Sequence, residues 1–328
     1  MTDRYHVIGI GNAIVDVFSE TDDAFLDRMK IEKGIMQLIE RDRAEELYTA
    51  MGRPRQVPGG SVANTMAGLG NLGLRTAFIG RVKDDPLGRF YAESFAAEGS
   101  HFPNPPVAGA DLPTSRSMIF VSPDGERSMN TYLGISSELS PEDVPEAVCA
   151  HADILFLEGY LYDKPTGKDA FETAARITHG GGGQAGIALS DPFCVDRHRT
   201  DFRRLVRDLD YVIGNQHEWE SLYQCNLDDA LRMAAQDCGL VVCTRSGDEV
   251  ILLRGEERAT IPVHRVVPVD ATGAGDLFAA GFLYGLATGQ GLETAGRMGC
   301  VAATEVISHF GARPEADLRD LFRQAGLV

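Results

Sequence analysis

From residue 141 onward the chain alternates short apolar runs with helix-period stretches, and no other feature narrows its fold as much. Runs at 153–157, 185–189, 211–213 and 240–243 have the length of strands, and helical patterns at 165–178, 201–207 and 227–235 separate them. Strands buried on both faces and joined through helices make a parallel sheet covered on both sides. The N-terminal part carries the same elements: a strand at 5–11, helices at 22–29, 41–51 and 61–72, a strand at 75–80 and a helix at 86–97. Pro86 falls in that helix's first turn, where its missing N–H costs nothing. Adjacent strands at 249–253 and 258–262 and helices at 274–287 and 293–306 complete the chain. The expected class is α/β, with a central, mostly parallel sheet flanked by helices.

Two stretches break the pattern. Residues 115–122 and 127–132 read as a hairpin around Pro123-Asp124-Gly125-Glu126, where Pro fixes φ and Gly permits φ > 0. Residues 15–40 are equally unlike a βα unit. Together they are expected to form a small β lid (15–40 and 113–133) over a large α/β body (1–14, 41–112 and 134–328). The Gly180–Gly183 run reads as a flexible surface connection, since no helix begins after it.

With 328 residues, 44% of them hydrophobic, the chain can bury a large core without a disulfide or structural metal. A formal charge of −17 disfavours nucleic acid and anionic membrane partners. The six cysteines form no CxxC pair, and no apolar run reaches the roughly 18 residues needed to span a bilayer. These features, with no export signal at the N-terminus, point to a cytoplasmic protein with reduced thiols.

The strongest chemical signal is Asp270-Ala271-Thr272-Gly273-Ala274-Gly275-Asp276, which opens onto an apolar helix. Small residues let a ligand approach the backbone, and free N–H groups of a first helical turn favour an anion. A carboxylate beside such a site suits a base that takes the proton of an attacking hydroxyl. Phosphoryl transfer asks for this combination of alignment and charge stabilisation. The bland alternative is that Asp276 only caps the helix. A second glycine-led helix start, Gly59-Gly60-Ser61-Val62-Ala63-Asn64, places Asn64 on a first turn where its amide can reach a ligand hydroxyl. Read alone, it is equally a plain turn with Ser61 as N-cap.

These two blocks, in this order and about 200 residues apart, resemble the two motifs of the ribokinase-like (PfkB) kinases. Gly11-Asn12-Ala13-Ile14-Val15-Asp16, Arg127-Ser128-Met129-Asn130, Glu158-Gly159-Tyr160 and Ser190-Asp191-Pro192-Phe193 look like the adenosine-kinase-like branch. The resemblance implies a ribokinase-like fold and an ATP-dependent, Mg²⁺-requiring kinase acting on a small-molecule acceptor, either a purine nucleoside or a sugar such as ribose or fructose. It implies Asp276 as base, with Gly273, Ala274 and Gly275 as anion hole and Arg127 as a lid arginine near the transferring phosphoryl. It implies Asn12, Asp16, Gly60, Ser61 and Asn64 as the acceptor cradle. Met36, Met129, Tyr160 and Phe193 would meet the acceptor's base, although any of them is equally at home in a core.

For the nucleotide side the resemblance implies Asn215, Glu218, Thr244, Gly247, Thr272 and Gly311. Glu218 would hold Mg²⁺ through water; read without the family it is an exposed helix residue. Gly311 marks a candidate monovalent-cation (K⁺) site. Relatives are monomers or homodimers. Ser246 stands where the family has a glycine, with Gly247 following.

Two readings from other classes compete. Gly9-x-Gly11 after a strand suggests an NAD-dependent dehydrogenase, but Ile14 replaces the third glycine of that fingerprint. A non-catalytic ligand-binding homologue would show a damaged base or anion hole, and both are intact in sequence. No GxxxxGK[ST] phosphate loop occurs.

Overall fold

The computed structural model describes residues 4–52 and 54–328. Its strands, in chain order, are β1 (Tyr5–Ile10), β2 (Ile14–Glu20), β3 (Met36–Leu38), β4 (Arg55–Gly59), β5 (Thr76–Ile79), β6 (Ser115–Val121) and β7 (Arg127–Tyr132). They continue with β8 (Ala152–Glu158), β9 (Gln184–Ala188), β10 (Tyr211–Asn215), β11 (Leu240–Thr244), β12 (Val250–Arg254) and β13 (Glu257–Ile261). An eight-stranded sheet has the order β13-β12-β11-β10-β9-β8-β1-β5. Strands β5, β1, β8, β9, β10 and β11 run parallel, and the β12–β13 hairpin adds an antiparallel edge.

Helices cover both faces, and the strand side chains divide between two cores. Val7 of β1 packs into one cluster, while Ile8 and Ile10 pack into the other. Each such fully buried aliphatic side chain contributes about 1.5–3 kcal/mol. The Ala274–Ala287 helix is apolar nearly all round, and Leu277 to Gly285 are buried. It lies against the Ser61–Asn71 helix at Gly68, where an added Cβ would come within 2.7 Å of Leu277 and 2.8 Å of Ala280. This close approach brings the N-terminal ends of the two glycine-led helices together.

A second, five-stranded sheet has the order β3-β7-β6-β2-β4. The β6–β7 hairpin turns where the Pro-Asp-Gly-Glu stretch predicts, with Gly125 N bonded to Ser122 O at 2.8 Å. Strand β4, which lies in the 41–112 stretch expected in the large body, also joins this sheet, pairing antiparallel with β2. Residues 55–59 carry Pro58 and Gly59 in a five-residue run, so their strand character comes from pairing rather than propensity. The Gly180–Gly183 run is not a loose connection. It closes the Pro165–Gly180 helix, with Gly183 N bonded to Thr178 O at 2.9 Å.

The chain passes from β1 straight into β2, with only residues 11–13 between them. A dinucleotide fingerprint needs a helix immediately after that strand, so Gly9 and Gly11 do not form one. All six cysteines are free. Among the described residues no helix is long and apolar enough to cross a membrane.

Candidate active site

The parallel strands β1, β8, β9, β10 and β11 point their carboxyl ends at one cavity of about 920 Å³. Ligands of open α/β sheets bind at this edge, because loops there are free to diverge. Asn12, Glu158, Ala188, Asn215 and Thr244 mark the successive strand ends on its wall, and the second sheet closes its other side with Asp16, Met36 and Met129. Ser61, Asn64 and the whole loop from Ala271 to Asp276 line it as well.

At the floor the Ala274–Ala287 helix begins at Gly273, whose φ of 79° is the left-handed conformation that glycine adopts without cost. No side chain caps this helix. Asp276 does not turn back onto the backbone as a cap would. One of its oxygens accepts from Ser61 Oγ at 2.7 Å and the other from Asn64 Nδ2 at 2.9 Å. Both glycine-led motifs therefore meet at a single carboxylate. Burial pushes the Asp276 carboxyl up to about 6, against the Asn64 and Ser61 hydrogen bonds and the Arg313 charge, which lower it. The amide oxygen of Asn64 is buried and unpartnered, ready to accept from a ligand hydroxyl.

Asp16 faces the cavity from β2, and no hydrogen bond to its carboxylate is found among the described residues. Its carboxyl is pushed up to about 7, chiefly by burial; Arg313 and Arg127 pull it down and Asp276 adds to the rise. An unpaired carboxylate in this setting calls for donors from a ligand. Asn12 is committed instead to the protein. Its amide donates to Glu158 Oε1 at 2.6 Å, and its oxygen accepts from Ser136 Oγ at 2.9 Å. Its expected place in the acceptor cradle is thus as a pinned wall residue.

Two charged groups have roles at the site that the sequence alone does not assign. Glu158 is buried at the end of β8 and accepts from Asn12 N at 3.2 Å and Val62 N at 3.3 Å. That holds the start of the Ser61–Asn71 helix against the large sheet. Burial moves its carboxyl up to about 7. An acid directly after the apolar run Ile154-Leu155-Phe156-Leu157 was the available signal. Arg313 reaches Glu98 at 2.7 Å and Pro58 O at 3.2 Å, and nothing in its local sequence marks it.

Met36, Met129, Tyr160 and Phe193 add apolar and aromatic surface to the cavity lining. Met36 is 47% exposed and Phe193 75% exposed, so the ordinary-core alternative fails for both. Met36 pairs in register with Met129 on the neighbouring strand. Tyr160 lines the same cavity and donates its hydroxyl to Ser190 O at 3.2 Å.

On the nucleotide side, Glu218 is buried rather than exposed, and its carboxyl is pushed up to about 7, chiefly by burial. It forms a reciprocal cap with Asn215: Glu218 Oε2 accepts from Asn215 N at 2.8 Å, and Asn215 Oδ1 accepts from Glu218 N at 3.0 Å. No group of three or more metal-ligating acids, histidines or cysteines occurs among the described residues. One carboxylate with an amide neighbour fits a Mg²⁺ that keeps most of its waters and phosphate ligands.

Three expected residues stand outside the cavity. Gly247 lies beyond β11 with its carbonyl bonded to Arg265 Nε at 2.9 Å. Gly311 donates its N–H to Asp270 Oδ2 at 2.9 Å. Arg127, expected near the transferring phosphoryl, is drawn instead to the same carboxylate in a buried ion pair, with Nη1 2.7 Å from Asp270 Oδ2. The residues near Gly311 do not fit a monovalent cation, because the carboxylate there already faces a guanidinium. A second cavity, about 870 Å³, lies along the Leu292–Val306 helix and contains none of the expected residues.

A family model described as pfkB family carbohydrate kinase matches residues 29–318. An Archaeoglobus fulgidus protein described as an uncharacterized sugar kinase is 29% identical over 255 residues, which is 75% of this chain and 96% of that one. Among solved structures, a probable sugar kinase from Rhizobium etli CFN 42 superposes with a TM-score of 0.91, at 45% identity and 100% coverage of both chains. An adenosine kinase from Sinorhizobium meliloti superposes with a TM-score of 0.89 at 46% identity, covering 98% of this chain and 99% of that one.

Proposed function

The chain belongs to the pfkB family of carbohydrate kinases, phosphotransferases with an alcohol group as acceptor, and within that family we propose that it moves the γ-phosphoryl of ATP to the 5′-hydroxyl of adenosine or a related purine nucleoside. The observation that carries the nucleoside reading is the mixed lining of one cavity of about 920 Å³. Asp16 and Asn64 suit ribose hydroxyls, and Met36, Met129, Tyr160 and Phe193 offer surface suited to a flat base. A free sugar would leave that second set of side chains unused. The likeness to the Sinorhizobium meliloti adenosine kinase supports the same reading. Names of sugar kinases among the relatives keep a sugar as the alternative acceptor.

In this reading the ribose bridges Asp16 and the free oxygen of Asn64, which sets the acceptor hydroxyl against Asp276. Asp276 takes the proton as the hydroxyl attacks in line, while the N–H groups at Gly273 and Gly275 face the phosphoryl oxygens; that of Ala274 is held by Ala271 O at 3.3 Å in the ligand-free fold and must turn from it to join them. Mg²⁺, when bound near Glu218 through water, would offset phosphate charge. The second sheet, brought down over the acceptor, excludes water and limits ATP hydrolysis.

Turnover with ATP against adenosine, inosine, ribose and fructose tests the assignment, and ribose or fructose preferred over every nucleoside would refute it. Phe193→Ala supplies a finer reading. A base stacked on an aromatic ring gains about 1–3 kcal/mol. The substitution is therefore expected to raise KM for adenosine by about tenfold and to leave KM for a free sugar unchanged.

A pH profile gives a further expectation. Asp276 and Asp16 both act as carboxylates, and their carboxyls titrate near 6 and 7. Both values are raised, so the active forms are lost as pH falls through them. The acid limb of kcat/KM for the acceptor should fall between these values and steepen where both groups protonate. Ser61→Ala removes a donor that favours the Asp276 carboxylate, and it should move the limb to higher pH. An unmoved limb would argue that Asp276 is not the titrating base.

A further inference from the structure

Arg127, the first residue of β7, buries its guanidinium at the junction of the two sheets. Its side chain is 10% exposed and that of its partner Asp270 6%. The guanidinium carbon stands 5.3 Å from the Phe18 ring centre on β2 and 5.2 Å from that of Phe310. Asp270 begins the loop that carries the proposed anion hole. Its Oδ1 accepts from Thr272 N at 3.0 Å and Thr272 Oγ1 at 2.7 Å, and its Oδ2 accepts from Gly311 N at 2.9 Å. This carboxylate therefore shapes the turn that leads into Gly273. The contact with Arg127 is one of charge at short range, because Arg127 Nε and Nη1 lie buried without an aligned hydrogen-bond acceptor. A guanidinium does not shed its proton in a protein, so its burial is tolerable only against an opposite charge.

We propose that Arg127 is a positioning residue, the built-in counter-ion of Asp270, which fastens the second sheet to the anion-hole loop and fills the role of a monovalent cation there. The inference rests on the phosphoryl-transfer reading for its effect on catalysis, but the pairing itself does not. Without Arg127 a buried carboxylate with no counter-charge would stand three residues from Gly273, where it would repel the phosphates of the donor. Arg127, itself packed over Phe18 of β2, reaches from the second sheet to Asp270 and to the Phe310 ring. Closure of that sheet and the shape of the loop are thereby one event.

The test compares wild type, Arg127→Met, Asp270→Asn, the double variant and Arg127→Lys, each in choline, Na⁺ or K⁺ buffer. Wild type should vary by less than about twofold among the three cations, since its counter-ion is covalent. Arg127→Met should lose about 100-fold in kcat/KM for ATP in choline, the scale of a broken buried ion pair. K⁺ or added guanidinium should return about fivefold or more by mass action. Adding Asp270→Asn to Arg127→Met should recover about tenfold, because the bare carboxylate is gone and the two effects are coupled. Arg127→Lys keeps the charge and should retain most activity.

Hydrogen exchange of the ligand-free proteins supplies a reading independent of turnover. Residues 14–20 and 309–312 should lose protection in Arg127→Met and regain it with K⁺ or guanidinium. Multiplying losses in the double variant, with no cation or guanidinium recovery, would mean that Arg127 acts on the phosphoryl itself and would overturn the proposal. Strong K⁺ activation of the wild type would overturn it too. A chain that phosphorylates no acceptor would sink the kinase reading, and the exchange experiment would still decide the pair.

Discussion

Asp276→Asn is expected to lower kcat by about two to four decades, the usual contribution of a positioned general base. The geometry makes the substitution a clean one. Asp276 accepts two side-chain hydrogen bonds, from Ser61 Oγ and Asn64 Nδ2. The introduced amide keeps one acceptor and turns the other position into a donor. Asn64 can meet that donor by rotating its own amide, because its oxygen is unpartnered. The network therefore survives and only proton acceptance is lost.

Stability moves the other way. The Asp276 carboxyl titrates near 6 in the fold, above its ordinary value of 3.8, so at neutral pH the folded state carries a charge that burial disfavours. The stabilisation lost as pH rises through this window is restored when the group cannot ionise. The melting temperature of the variant at pH 7 should equal or exceed that of the wild type. Single-turnover kinetics and thermal melts on the same preparation check both halves. A variant with near-normal kcat would remove Asp276 from the base role, and a drop in melting temperature with the loss of activity would trace that loss to unfolding.

Asp16→Ala is expected to raise KM for the acceptor by about 100-fold, since a hydrogen bond to a charged group contributes about 1.5–3 kcal/mol and a ribose offers two hydroxyls. No protein donor among the described residues engages Asp16, so removing it leaves nothing in the ligand-free fold unpaired. KM for ATP and kcat at saturating acceptor should change by less than about tenfold, because the lost interaction is made equally in ground and transition states. Calorimetric titration of the acceptor in the absence of ATP measures the same loss without chemistry. An acceptor affinity that holds steady in this variant would place the ribose elsewhere.

The glycine-led motifs were legible in the sequence because their chemistry is local. A glycine that begins a helix, the small residues after it and the acid on its first turn lie within a few positions of one another, as at 273–276 and 59–64. The parallel sheet was legible for a similar reason, since each run such as 153–157 or 240–243 declares its own burial. Strand β4 was not legible. Pro58 and Gly59 weaken its propensity, and only pairing with β2 makes it extended. The roles of Glu158 and Arg313 were not legible because an acid or an arginine has no periodicity of its own. What makes each matter is the backbone N–H or carboxylate met across more than ninety residues of chain.

Residue types and short spacings alone determined that this chain builds a doubly covered α/β sheet and places an acid beside an amide-lined helix start, because both depend on interactions within a few residues. Tertiary structure alone decided that Ser61 and Asn64 clasp Asp276, that Asn12 is held by Glu158 and Ser136, and that Arg127 faces Asp270 rather than the open cavity. Those choices belong to charges and amides that must find partners once water is excluded. Which partner lies within reach is set by how the two sheets and the glycine-led helices pack, a relation that no local pattern encodes.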